Sequence, residues 1–285
     1  MDIGETIDFL RTQKNLKVSE VTTDYISRQA YYNFVHGKTH TSINSFDIML
    51  NNLCVSYDEF VFIKNGYSLP EQDALLLEMK KTFEQKDSEK LIEISKYCLS
   101  KSSKTHTHLG YLCLLLKNRL DESSDTVTSS KLKAYLLSVA TWTHYEIVLF
   151  NNSIYCFDTD TILTLMRRVM LNLEKYKSQK AFGSECFRMQ VNVIITLLQR
   201  KDLNNCYRLF DDLFDMSLPQ DALYERNILL FMKGLFEVIK NREVENKQVS
   251  TSLAIMETLG CTDSFNMFTS LYTYTINELI QPNRN

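Results

Sequence analysis

The sequence predicts an all-α protein with a short helical domain followed by a long series of helical hairpins. The 285 residues include only seven glycines and three prolines, and this scarcity of helix breakers favours helices. Apolar side chains recur at helical spacing along most of the chain, whereas the alternating pattern of a strand is hard to find. The hydrophobic fraction of 44% is sufficient for a large core without metals or disulfides.

Residues 1–66 are predicted to form a compact domain of five short helices. The last of them begins at Ser56, which with Glu59 has the spacing of a capping box. The stretch 64–67 is the predicted boundary with a second domain over residues 67–285. The five helices are predicted over residues 3–13, 19–24, 27–36, 42–53 and 56–63.

The second domain is predicted to be an α-solenoid of degenerate, tetratricopeptide-like hairpins, since helices follow one another with short connections. No strict 34-residue consensus is present. Capping-box spacings at Ser68, Thr143 and Ser217 mark three predicted helix starts. Helices are predicted near 70–85, 87–101, 104–120, 129–141, 144–156, 159–178, 181–200, 203–216, 219–240, 246–259 and 263–280.

The helix over residues 27–36 has the pattern of the recognition helix in a helix-turn-helix protein. Ser27 can cap its first turn, and Gly37 can end it in the left-handed conformation. Ala30, Tyr31 and Phe34 are predicted to face the core. The side chains between them can donate or accept hydrogen bonds, as a helix in the major groove requires. They are Arg28, Gln29, Tyr32 and Asn33.

The charge of the N-terminal domain limits how it could bind DNA. Residues 1–66 contain six Lys or Arg and eight Asp or Glu, although neutralisation of phosphates supplies most non-specific affinity. We therefore expect weak non-specific binding. Specific binding would need two copies of the domain, or positive charge concentrated around Arg28, His36, Lys38 and His40.

The sequence does not favour catalysis, a cofactor or a metal. It lacks the glycine-rich nucleotide motifs, the nucleophile elbow and the H-E-x-x-H motif. The seven cysteines are widely spaced without a C-x-x-C pair, so disulfides or zinc are not expected. His106 and His108 diverge by about 200° on a helix, which disfavours a site with Cys113. Without a recognisable signal peptide or membrane-spanning run, the chain is expected to be soluble and cytoplasmic.

Two motifs together resemble a known family. Ser27, Tyr31, Phe34 and Gly37, followed by the segments 50–53 and 58–60, resemble the XRE-type helix-turn-helix. Trp142-Thr143-His144-Tyr145-Glu146 and Leu149-Phe150-Asn151-Asn152 are similar to the W-x-x-Y-E and L-F-x-N stretches of Rgg/GadR/MutR transcriptional regulators. The resemblance covers essentially the whole chain.

This resemblance implies a homodimeric, cytoplasmic regulator of Gram-positive bacteria that binds double-stranded DNA and senses a short imported peptide. The family's DNA-contacting positions fall on Arg28, Gln29, Ala30, Tyr32 and Asn33, and Lys38 is a further candidate. Gln29 or Asn33 could form paired hydrogen bonds with adenine, and Arg28 could contact guanine or phosphate.

An extended peptide needs partners for its backbone groups and pockets for its apolar side chains. Asn192 falls where the wider group of peptide-sensing regulators often places a polar residue, and one amide can both donate and accept. The full set of candidates is Arg167, Arg168, Gln190, Asn192, Asn227, Phe231 and Lys233.

Two alternatives remain open from the sequence. One is an interaction scaffold whose N-terminal bundle does not bind DNA, and the other is a regulator that needs no ligand. Trp142, Tyr145 and Glu146 are expected to have structural roles, with Glu146 capping its own helix.

Overall fold

In this computed structural model, residues 1–123, 125–173 and 180–281 are described, and they form sixteen α-helices and no strand. The predicted all-α class is confirmed. Contacts divide the chain into two compact units, Met1–Leu109 and the remainder from Gly110. The boundary expected at residue 66 is a finer division and stays a prediction.

The first five helices of the N-terminal unit share one hydrophobic core. Buried side chains from Ile7 to Ile63 form a single cluster, with Val21, Met49 and Leu53 fully enclosed. A 3-10 turn, Thr23–Tyr25, separates α2 from α3. The helices are α1 (Ile3–Gln13), α2 (Val18–Thr22), α3 (Arg28–Val35), α4 (Ile43–Leu53), α5 (Tyr57–Lys64), α6 (Glu71–Glu84) and α7 (Ser88–Leu99).

Helix α3 packs closely against α1 because α1 carries a glycine at the contact. A Cβ atom on Gly4 would collide with the carbonyl oxygen of Phe34 and lie 2.9 Å from the Cα atom of Val35. A larger residue would therefore push the C-terminal end of α3 away. The absence of a side chain at this point sets the distance between the two helices.

A buried tyrosine fixes the same pair of helices by hydrogen bonds. The Tyr31 hydroxyl donates to Asp8 Oδ1 at 2.9 Å and accepts from Arg11 Nε at 3.2 Å. Arg11 and Asp8 also form an ion pair at 2.8 Å. Burial and the Asp8 carboxylate raise the pKa of the Tyr31 hydroxyl, so the phenol keeps the proton that it donates.

Both predicted ends of α3 are confirmed. Ser27 Oγ accepts from the Ala30 N–H at 3.1 Å, and Gly37 has φ +66°, the left-handed conformation that glycine adopts at low cost. The prediction that Ala30 faces the core is wrong. Ala30 is exposed and Val35 is buried instead, because Ala30 precedes the inward-facing Tyr31 by about 100° of rotation.

Two other predictions in this unit are corrected. The helix expected over 19–24 ends at Thr22, since Thr23 has φ +52° and starts the 3-10 turn. Ser68 does not cap a helix. Pro70 is the N-cap of α6, and it provides no side-chain hydrogen bond. Helix α6 therefore begins at Glu71 without a side-chain cap.

The second unit begins within α8 and consists of packed helices. Its central helix is α12, which contacts α10, α11, α13 and α14, the pattern of neighbours that stacked hairpins produce. The helices are α8 (Lys104–Leu120), α9 (Thr126–Ser138), α10 (His144–Asn151), α11 (Thr159–Leu173), α12 (Lys180–Gln199), α13 (Leu203–Phe214), α14 (Leu223–Asn241), α15 (Lys247–Thr258) and α16 (Thr262–Tyr274), which a π turn extends to Ile280.

Trp142 and Glu146 have the structural roles that the sequence predicts. Trp142 is fully buried and donates from its indole N–H to the Leu136 carbonyl at 3.2 Å. Glu146 Oε2 accepts from the Thr143 N–H at 2.8 Å and hydroxyl at 2.7 Å, and Oε1 accepts from the Tyr135 hydroxyl at 2.7 Å. Burial acts to raise the pKa of Glu146, but these hydrogen bonds outweigh it, and the pKa is lowered.

Two helices of this unit begin at residues other than the predicted ones. Helix α9 begins three residues earlier than predicted because Asp125, and not a later residue, caps it. Helix α14 begins at Leu223 and not at 219, since Pro219 lies in a turn closed by the Ala222 N–H. The predicted extension of the helix 159–178 beyond Leu173 lies outside the described residues.

Replacing Tyr31 by phenylalanine is expected to lower the free energy of unfolding by about 1 kcal/mol. The variant loses both hydrogen bonds of the Tyr31 hydroxyl, but Asp8 and Arg11 keep their ion pair. Urea denaturation measures this. Tyr57→Phe is the matched control, because the Tyr57 side chain is 63% exposed. An equal loss in both variants would contradict the role given to Tyr31.

Replacing Glu146 by glutamine is expected to destabilise the protein by about 2 kcal/mol at pH 7, the scale of a hydrogen bond to a charged group. A carboxyl whose pKa is lowered by folding stabilises above its unfolded pKa, and this stabilisation is lost as pH falls through the folded pKa. The difference between wild type and variant should therefore shrink below about pH 4.5. Urea titrations at several pH values test this, with the exposed Glu257→Gln as control.

Candidate DNA-recognition helix and ligand-binding surface

The outward face of α3 presents the side chains that the sequence predicts for DNA contact. Arg28, Gln29, Ala30 and Tyr32 are exposed, and Asn33 is half-buried. Gln29 Nε2 donates to Asn33 Oδ1 at 3.0 Å. This bond holds the two amides together and leaves the Gln29 oxygen and the Asn33 amino group for another partner.

The C-terminal end of α3 carries a cluster of aromatic and basic groups. The Tyr32 and His36 rings lie 4.1 Å apart, and the Lys38 ammonium lies 5.1 Å from the centre of the Tyr32 ring. His36 Nδ1 contacts the Tyr32 carbonyl at 2.8 Å. Since Gly37 turns the chain here, Lys38 returns over the helix and adds positive charge beside Tyr32.

In the second unit, Asn192 belongs to a short polar network between α10 and α12. Asn192 Nδ2 donates to Asn151 Oδ1 at 2.7 Å, and Asn151 Nδ2 donates to Glu185 Oε1 at 2.6 Å. All three side chains are half-buried. We name Asn151, Glu185 and Asn192 the polar seam, which places amide and carboxylate groups at a half-buried position between α10 and α12.

The polar seam continues towards α14 through residues that the sequence reasoning missed. Arg188 lies one turn from Asn192 on α12. Its Nη2 atom is 3.6 Å from Glu225 Oε1, and its guanidinium carbon is 5.9 Å from the centre of the Tyr224 ring. Their spacing in sequence gave no signal, because they meet only when α12 packs on α14. Asn151 did have a signal, since it lies in the Leu149–Asn152 motif.

Two other predicted peptide contacts are used inside the fold. Arg168 Nη1 donates to the Leu137 carbonyl at 2.6 Å and so closes the end of α9. Gln190 is fully buried, and its Nε2 contacts the sulfur atoms of Met170 at 3.2 Å and Met216 at 3.1 Å. Neither side chain presents its polar group to a ligand in this conformation.

The three candidates on α14 contact residues outside the polar seam. Asn227 Nδ2 donates to the Ser252 carbonyl at 3.2 Å, and Phe231 is fully buried against Phe268. Lys233 lies 5.6 Å from the centre of the Phe214 ring. Arg167, on α11, is exposed and faces a cavity towards α13. The seven candidates therefore do not form one site.

Within residues 1–123, 125–173 and 180–281, no helix has the length and apolar character needed to cross a bilayer. In the same part of the chain, no three His, Cys, Asp or Glu side chains are grouped as metal ligands.

Several solved structures share this fold. A protein from Listeria monocytogenes EGD-e superimposes with a TM-score of 0.86 at 18% identity, over 98% of this chain and 99% of that one. The SHP pheromone receptor Rgg2 of Streptococcus dysgalactiae gives 0.74 at 19% identity, over 95% and 99%. RopB is 29% identical over 78% of this chain and all of its own length, with a TM-score of 0.58.

The family model for the C-terminal domain of the HTH-type transcriptional regulator Rgg matches residues 77–270. This match covers more than half of the chain and includes α10, the polar seam and α14. The chain belongs to the Rgg family of transcriptional regulators.

Proposed function

We propose that this protein is a homodimeric transcriptional regulator that binds DNA through α3 and responds to a short peptide bound by its repeat domain. The observation that carries the proposal is the hydrogen-bonded pair Gln29–Asn33 on the outward face of α3. The opposite face of this helix packs against α1. Membership of the Rgg family supports it, as does the description of one structural relative, Rgg2, as a pheromone receptor.

The amide pair suits the edge of an adenine in the major groove. Adenine there presents the N6 amino donor and the N7 acceptor, and the free Gln29 oxygen and Asn33 amino group complement both. Because the two amides already hold each other, less side-chain entropy is lost on binding. Arg28 is exposed at the start of α3, and its guanidinium could contact guanine or a neighbouring phosphate.

The acidic balance of residues 1–66 supports the proposal of a dimer. One copy of residues 1–66 has more acids than bases, so a single α3 gains little from phosphates. Two copies on a pseudo-palindromic site double the base contacts. Ile43 is 80% exposed, and Phe46, one turn further on α4, contacts the exposed Tyr57 ring. These apolar groups favour contact with a second copy.

The polar seam is the proposed contact for the peptide backbone. Its amides are paired with each other and with Glu185, and an extended peptide could exchange those bonds for its own N–H and C=O groups. Arg188 and Tyr224 continue the same surface. Of the seven predicted peptide contacts, Asn192 is the one that we propose to bind the peptide backbone.

The variant Arg28→Ala/Gln29→Ala is expected to lose specific DNA binding, since each base contact contributes about 1–3 kcal/mol. Fluorescence anisotropy with the DNA flanking its own gene measures the affinity. Lys14→Ala is the matched control, because Lys14 follows α1 and carries an exposed positive charge. No specific complex with wild-type protein, with or without peptide, would overturn the proposal.

The variant Asn192→Ala is expected to weaken peptide binding about tenfold, the effect of one lost hydrogen bond to a polar ligand. Calorimetry with a library of short hydrophobic peptides provides the measurement. Asn266→Ala, at an exposed position on α16, is the control. If wild type and Asn192→Ala bind the peptides with equal affinity, the polar seam is not part of the peptide site.

A further inference from the structure

The cavity beside Arg167 lies in the second unit, away from the polar seam. It has a volume of about 430 Å³ and lies between α11 and α13, which both pack on α12. This volume is within the range of small-molecule sites. Its apolar walls are formed by Leu163, Met166, Met170, Leu171 and Leu209.

The inner wall is firmly placed and the rim is open. Met166 is 2% and Leu209 is 8% exposed, whereas Leu171 at the rim is 80% exposed. Met170 is fixed from beneath by the Gln190 amide at 3.2 Å. When an apolar group fills this pocket, apolar surface is removed from water, and the free energy of the complex falls.

The polar groups of the rim have a net positive charge. Arg167, Arg208 and Asp212 are exposed there, and Asn205 completes the lining. Neither guanidinium forms an ion pair within the described part of the chain. Two uncompensated guanidiniums beside an apolar cavity match a ligand that has an apolar body and one acidic group, since guanidinium binds carboxylate in paired hydrogen bonds.

The cavity is separate from the polar seam. Gln190 points to Met170 on the cavity side of α12, and Asn192 points to Asn151 on the α10 side. Two residues apart on a helix correspond to about 200° of rotation. A molecule in the cavity would therefore lie across α12 from the proposed peptide contacts.

We propose that this cavity binds a small organic anion with an apolar body, of the chemical class of a medium-chain carboxylate. The apolar body lies on the methionine and leucine side chains, and the carboxylate lies between Arg167 and Arg208. The Asp212 carboxylate, on the same rim, disfavours ligands with more than one negative charge.

The first test uses 8-anilino-1-naphthalenesulfonate, an aromatic sulfonate that fluoresces in apolar sites, with the full-length protein. Decanoate should displace the probe, whereas hexanoate should do so less well, because each buried methylene adds about threefold to fourfold in affinity. Absence of probe binding, or displacement that does not depend on chain length, would overturn the proposal.

The second test measures whether decanoate binding needs the charges of Arg167 and Arg208 while the fold stays intact. Arg167→Gln/Arg208→Gln should weaken decanoate binding by about tenfold or more and leave binding of the neutral decanol unchanged. Arg188→Gln, on the polar seam side of α12, is the control for the loss of a guanidinium outside the cavity, and circular dichroism checks the helical fold. Equal decanoate affinity in all three proteins would overturn the assignment.

The third test distinguishes this site from the peptide site. Asn192→Ala should keep full decanoate affinity, whatever its effect on peptides. Loss of decanoate binding in Asn192→Ala, with wild-type circular dichroism, would show that the anion binds at the polar seam and would overturn the proposal.

Discussion

The close approach of α1 and α3 is the constraint on which the proposed DNA-binding surface depends. Gly4 lets the backbones meet, and the Tyr31 hydroxyl joins them through Asp8 and Arg11. A helix of eight residues such as α3 has little stability of its own, because short helices are marginal in water. Its orientation must therefore come from packing. The exposed Gln29–Asn33 pair can be presented in a fixed geometry only because the opposite face of α3 is held in this way.

In the second unit, α12 has the corresponding role. It contacts four other helices, and its side chains divide between two surfaces. Asn192 faces α10 and contributes to the polar seam, whereas Gln190 faces α11 and supports the wall of the apolar cavity. Because one packed helix separates these surfaces, ligands on either side would act on the same element. The thermodynamic consequence is reciprocal: any effect of one ligand on the affinity of the other must be equal in both directions.

The sequence predicted most of what depends on local chemistry. The caps at Ser27 and Thr143, the left-handed Gly37 and the buried Trp142 follow from short-range spacing, and each is confirmed. The errors arise where three-dimensional packing decides. Ala30 is apolar but faces solvent, and the Ser217-Leu218-Pro219-Gln220 pattern forms a turn. Gln190 and Phe231 have suitable chemistry for a peptide but lie in the core. The polar seam and the cavity could not be predicted, because Asn151 meets Asn192, and Arg167 approaches Arg208, only after the helices pack.

We infer that two copies of α3 read one DNA site. Hydroxyl-radical footprinting of the full-length protein on the DNA flanking its own gene tests this most directly. We expect two protected segments on one face of the duplex, with centres separated by one helical turn, about 10 base pairs, or a multiple of it. Uniform weak protection without paired segments, under conditions where the protein is folded, would contradict it.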